Sequence, residues 1–374
     1  MALPHIARAV LRLLALVTLL VIVMSCANVF VHQRVFDFNV FWDAGRQAWR
    51  GQALSVWIDR TLPHPPPFLL FAQPFALLSL PAALTLWVAA TLALLVLVCR
   101  RQQDLSVTTI LAFPPTLVNG IIGQTGFLIG AMYIGAAQLF SSRPFLAGSL
   151  LGAMVIKPQM GLLVPFALLA GREWRAFAGA CCGALLLSLL AALAYGPDAF
   201  LAWYESLNAP TAVLMTGGSG WQKMASVFGT VSMLGFAANV AMAAHITIAI
   251  VALVAVIRTW SKNRDSMARF AVLACGTALA SPYFYVYDLV FLIFPIAWCY
   301  RHSGKAWLTI GAAAALAPPA ALNWFPSAFP NWAPLVSLLM LLLSWATSEA
   351  AVRTTKGVPE AGAITPQFIS PKPL

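Results

Sequence analysis

The chain is a succession of apolar runs near the length of a membrane crossing, separated by short breaks that carry charge, Gly or Pro. A hydrocarbon core roughly 30 Å thick takes about 20 helical residues. Runs at 9–31, 82–99, 121–140, 176–195, 236–257, 284–300, 306–322 and 333–350 meet or approach that length. Four more, at 105–118, 145–156, 159–170 and 270–280, are too short to cross upright and are expected to be tilted, broken or re-entrant. A soluble core has no room for so many. Of the 374 residues 61% are apolar and 9% charged, against about 25% charged in a soluble domain. The expected fold is therefore an all-α polytopic membrane protein of about 12 membrane segments. A single domain is expected over 1–355, followed by a Pro-rich disordered tail over 356–374.

The net charge of +11 is not a nucleic-acid footprint, because no basic run is interleaved with stacking aromatics outside the apolar segments. It sets orientation instead. With the N-terminus inside, 16 of the 22 Lys and Arg lie on the inner side, and only Arg34, Arg46, Arg50, Arg60, Lys157 and Lys223 lie outside. The positive-inside rule then predicts both termini cytoplasmic, in the cell (inner) membrane. Six cysteines show no ligand spacing and read as inert thiols. No zinc, P-loop or dinucleotide motif occurs, so no cofactor and no metal is implied.

The polar residues that a cytoplasmic anchor does not explain gather on the outer side. They are the loop 32–67, the break Asn119-Gly120 with Gln124, the break Lys157-Pro158-Gln159, the loop 196–235 and the stretch 281–288. After the first span, the segment 37–50 is amphipathic at helical spacing. Phe38, Phe41, Trp42, Gly45, Ala48 and Trp49 share one face, while Asp43, Arg46, Gln47 and Arg50 share the other. It reads as an interfacial helix with its aromatics at headgroup depth and Asp43 paired with Arg46 or Arg50. Asp37 stands just before it, off the charged face. That position suits an N-cap and a membrane-edge base equally.

Lys157 interrupts an apolar stretch and precedes Pro158, so the helix is expected to break there. A lysine so placed either snorkels to the headgroups or neutralises an anion such as a phosphate. Asp288 follows Tyr283, Tyr285 and Tyr287, which form an interfacial belt or an aromatic wall for a sugar. His64 precedes Pro65-Pro66-Pro67, where the prolines stiffen the return of the chain to the membrane. His245 lies mid-span.

The order of these residues resembles glycosyltransferase family 87. The matching features are Asp37-Phe38 with Trp42 and Gly51, then Pro65-Pro66 with Pro74 and Leu80-Pro81, Gly123-Gln124, and Lys157-Pro158-Gln159. They continue with Trp221-Gln222-Lys223, Ser226-Val227-Phe228, and Ser281-Pro282 followed by Tyr287-Asp288-Leu289. The resemblance spans residues 35–300. It departs at His64, where the family often has an aromatic, and at Val56-Trp57-Ile58-Asp59, where the family often has Tyr-Asp.

The resemblance implies a GT-C-like fold and transfer of a hexose, mannose-like, from a polyprenyl-phosphate donor to a hydroxyl of an acceptor glycan or glycolipid. Transfer would be outside the cytoplasm, with inversion and with Asp37 as general base. Lys157 and Lys223 are expected at the donor phosphate. Asp43, His64, Gln124, Gln159, Trp221, Tyr287 and Asp288 are expected substrate contacts. The alternative class is a lipid-linked glycan flippase or small-solute transporter. Such a protein would show paired breaks and ionisable groups near the midplane, whereas here the breaks crowd onto one side.

Overall fold

The computed structural model describes residues 5–32, 37–59, 62–103, 105–208, 215, 220–321 and 330–357. Among them every regular element is helical, apart from one isolated bridge between Met224 and Tyr285. Five helices are long and apolar enough to cross a membrane: Ala7–Val31, Leu80–Arg101, Trp174–Tyr195, Ala238–Lys262 and Ala333–Arg353. Their apolar windows are only 22–39% buried. Most of that surface faces outward, as a lipid-facing helix requires.

Shorter helices form the interior. Ser266–Ala280 is buried continuously from Ala268 to Ala280, and Gly126–Leu139 is buried along nearly its whole length. Ser266–Ala280 packs between Ala238–Lys262 and Ala333–Gly357, and Gly126–Leu139 packs against Leu80–Gln103. Protein surrounds both, so apolar side chains cover nearly every face of each, Arg269 near the start of Ser266–Ala280 excepted.

Three of the four short apolar runs are interrupted, while the fourth, 270–280, lies within the unbroken helix Ser266–Ala280. The 145–156 and 159–170 runs become Pro144–Gly152 and Val164–Gly171, joined by two 3-10 turns that flank Lys157. The 105–118 run is two helices, Val107–Ala112 and Pro114–Ile122, divided at Phe113. Pro114 holds Phe113 extended and cannot donate to the preceding turn. The 284–300 run starts as a 3-10 segment, Val286–Leu292, before Ile293–His302.

Glycine permits the tightest crossing. A Cβ at Gly148 or Gly152 would collide with the Ala176 or Ala180 carbonyl, and one at Gly179 or Gly183 with the Phe145 or Ser149 carbonyl. The short helix Pro144–Gly152 thereby lies backbone to backbone on Trp174–Tyr195. The last helix runs to Gly357, and the rest of the tail lies outside the described residues.

The amphipathic segment is a helix, Phe38–Trp49, but its apolar face meets protein. Phe38 and Phe41 are buried, with rings 6.2 Å from Trp87 and 4.7 Å from Phe68 respectively. Trp42 and Trp49 donate their indole N–H groups to the Leu78 and Gln73 carbonyls at 3.0 and 2.8 Å. The helix is thus a cap fastened to one end of the bundle. The opposite end carries a second anchor, where Arg269 donates to Glu173 at 2.6 Å and to the Asn263 and Trp260 carbonyls.

Candidate active site

Asp37 is at the N-cap position of Phe38–Trp49, yet its side chain makes no capping bond. One carboxylate oxygen instead accepts the Gln124 amide at 2.8 Å. Of the two roles the sequence left open, the capping one is not realised, and the carboxylate is turned across the end of the bundle.

Gln124 occupies a tight turn between Pro114–Ile122 and Gly126–Leu139. Gly123 is left-handed there, with φ of +69°, and a Cβ would come within 2.9 Å of Phe38 and 2.7 Å of Leu84. Only glycine meets both demands. Asn119 Oδ1 closes the turn by accepting the Gly126 N–H at 2.8 Å. The turn delivers Gln124 to Asp37 and Thr125 to Lys157.

Lys157 is 4% exposed, which excludes snorkelling. Its ammonium is paired with Asp288, itself fully buried, and donates to Thr125 Oγ1 at 3.3 Å. It also lies 4.9 Å from the centroid of the Tyr287 ring. The Asp288 carboxylate accepts the Tyr285 N–H as well, which ties it to the start of its own 3-10 segment. Tyr285 and Tyr287 stack at 5.3 Å and 9°. These rings line a wall beside the ion pair rather than forming a separate belt. Asp37 is within electrostatic reach of Asp288, Tyr285 and Tyr287.

The backbone around 221–226 joins the same wall. Trp221–Lys223 is a 3-10 turn; Met224 bridges Tyr285, and the Ala225 N–H donates to the Phe284 carbonyl at 2.7 Å. Trp221 is partly buried there and Lys223 is exposed. Gln159 is partly buried in the turn after Lys157. Asp43 is exposed on the outer face of its helix beside Arg46, off the cluster. His64 contacts Phe41 and Phe68, and His245 is buried on Ala238–Lys262.

Chemically, the arrangement offers a carboxylate, a buried ammonium–carboxylate pair and an aromatic wall at one end of a membrane-sized bundle. A model of glycosyltransferase family 87 matches residues 62–282, more than half of the chain. The chain belongs to glycosyltransferase family 87. No curated protein and no solved structure matches it. With its membrane-length helices, the protein is a membrane-embedded glycosyltransferase. The family match contains His64, Gln124, Lys157, Gln159, Trp221 and Lys223, while Asp37, Asp43, Tyr287 and Asp288 flank it.

Two participants escaped sequence reasoning. Thr125 Oγ1 accepts a hydrogen bond from the Lys157 ammonium, and Gly126 is the close-approach residue for Tyr287, whose carbonyl a Cβ at 126 would strike. A second glycine, Gly126, two residues after Gln124, is the available signal.

Proposed function

We propose that this family 87 enzyme transfers a mannose-like hexose from a polyprenyl-phosphate donor to a hydroxyl of an acceptor glycan or glycolipid. Transfer takes place on the extracytoplasmic face with inversion at the anomeric carbon. The observation that carries this reading is the Asp37 carboxylate. It ignores its own helix, is oriented by Gln124, and shares one end of the bundle with the Lys157 ammonium.

In this reading Asp37 takes the proton of the acceptor hydroxyl as its oxygen attacks the anomeric carbon. The bond from that carbon to the phosphate oxygen breaks, and its electron pair leaves on the polyprenyl phosphate. A phosphate leaving group needs charge stabilisation more than a strong acid. An ammonium has three donors, of which Asp288 and Thr125 take two on Lys157. The third meets a donor phosphate oxygen, and exposed Lys223 supplies further positive charge. Gln159, Trp221 and Tyr287 contact the sugar or the acceptor. A GT-C-like arrangement fits the division into long outward-facing helices and a polar end. The basic residues of Arg100-Arg101, Arg172, Arg175 and Lys262 lie toward the other end, which supports a cytoplasmic N-terminus.

The test is transfer of labelled sugar by the purified protein in liposomes, from a panel of polyprenyl-phosphate monosaccharides and of nucleotide sugars. Transfer from a polyprenyl-phosphate hexose and not from nucleotide sugars is expected. Transfer from nucleotide sugars alone, or flipping of a glycolipid without transfer, would overturn the proposal.

A further inference from the structure

His64 is a buried polar group to which the mechanism above assigns no step. It lies in the turn before the helix Pro66–Ala72, and its carbonyl accepts the Trp57 indole N–H at 2.9 Å, which fixes the backbone. The ring is wedged between Phe41, edge-on at 5.0 Å, and Phe68, tilted 32° at 4.3 Å. The residue as a whole is half-buried, yet among the described residues neither Nδ1 nor Nε2 meets solvent or a hydrogen-bond partner.

A neutral imidazole carries one N–H donor and one lone pair. Leaving a buried polar atom unmet costs about 1–3 kcal/mol. Packing does not require that cost, because two phenylalanine walls would accept an apolar ring at this position equally well. Burial, with added repulsion from Lys157, also holds the imidazole well below its ordinary value of 6.5, so it is neutral at pH 7. The helix Pro66–Ala72 that follows His64 packs against the 3-10 turn Ala153–Ile156 leading into Lys157, which places His64 at the border of the space around the Lys157 ammonium. A neutral ring beside a lysine is poorly suited to an anion. It is well suited to a hydroxyl, which also both donates and accepts.

We propose that His64 is a specificity-determining residue that hydrogen-bonds a hydroxyl of the transferred sugar. This rests on the reading of Lys157 as the donor-phosphate site, since the sugar is bonded directly to that phosphate and cannot be far from it. His64 then discriminates by polarity: a sugar hydroxyl satisfies the ring, and a donor lacking that hydroxyl leaves it unmet.

The experiment measures binding of two lipids, polyprenyl-phosphate mannose and sugar-free polyprenyl phosphate, to the full-length protein in nanodiscs. Wild type is compared with His64→Phe, His64→Leu and His64→Gln. Both apolar variants are expected to weaken binding of the sugar-bearing lipid about tenfold while leaving polyprenyl phosphate within about twofold, as loss of one buried hydrogen bond predicts. His64→Gln, which still donates and accepts, should lose less than either. Equal weakening for both lipids, or no change for either, would overturn the role of His64 and leave the donor class standing. A wild-type protein that binds neither lipid would instead overturn the donor class and the assignment of His64 together.

Discussion

Lys157 and Asp288 illustrate why a buried charge is judged with its partner. Removing one member of a buried pair leaves the other uncompensated and costs about 3–5 kcal/mol. Lys157→Met alone is therefore expected to lower thermal stability in detergent and to raise the donor KM. In Lys157→Met/Asp288→Asn the stranded charge is gone, so stability should return toward wild type while the donor KM stays raised at least tenfold. A double variant with wild-type donor KM would show that the pair serves the fold alone. The sequence exposed Lys157 because an ion in an apolar run is conspicuous, but it could not disclose Asp288 as its partner 131 residues away. For Asp37 the sequence left a cap and a base equally open, and only the bond to Gln124 decides which way the carboxylate points.

At the level of the element, the site depends on breaks rather than on helices. Gly126 opens the helix Gly126–Leu139 against the Tyr287 carbonyl, where any side chain collides. Gly126→Val should displace the 285–288 segment and, since small misplacements at a reacting centre cost on the order of 10²-fold, reduce kcat by about that factor. Gly311, which has open space around it, provides the control: Gly311→Val should leave kcat unchanged. Equal effects of the two substitutions in a transfer assay would remove Gly126 from the positioning role. The long helices were legible because an apolar run of membrane length has few alternatives. The broken ones were less so. Pro114-Pro115 marks an interruption of the 105–118 run, but only the extended backbone at Phe113 shows that it divides the run into two helices rather than kinking one. The amphipathic helix was also legible, but amphipathicity does not say what the apolar face meets, and here it is Phe68, Trp87 and the neighbouring turn rather than headgroups.

Across the whole molecule, the two ends differ in chemistry. One holds the Asp37, Gln124, Lys157 and Asp288 cluster under the amphipathic cap; the other holds the Arg269 to Glu173 anchor and the basic helix ends. If that polarity follows the positive-inside rule, single cysteines at Gly51 and Ser303 in a background without the native cysteines should label from outside and inside respectively. The reverse pattern would place the cluster in the cytoplasm and remove the reason for a lipid-linked donor. The family was legible in short motifs because their order is preserved along the chain, even though each is weak alone. The measurement that bears most directly on the reaction is kcat for sugar transfer from the active polyprenyl-phosphate donor, compared between wild type and Asp37→Asn at matched folding and membrane insertion. General-base catalysis predicts a loss of about 10²–10⁴-fold in the variant with little change in donor KM. An Asp37→Asn protein that transfers sugar at the wild-type rate would contradict the account at its centre.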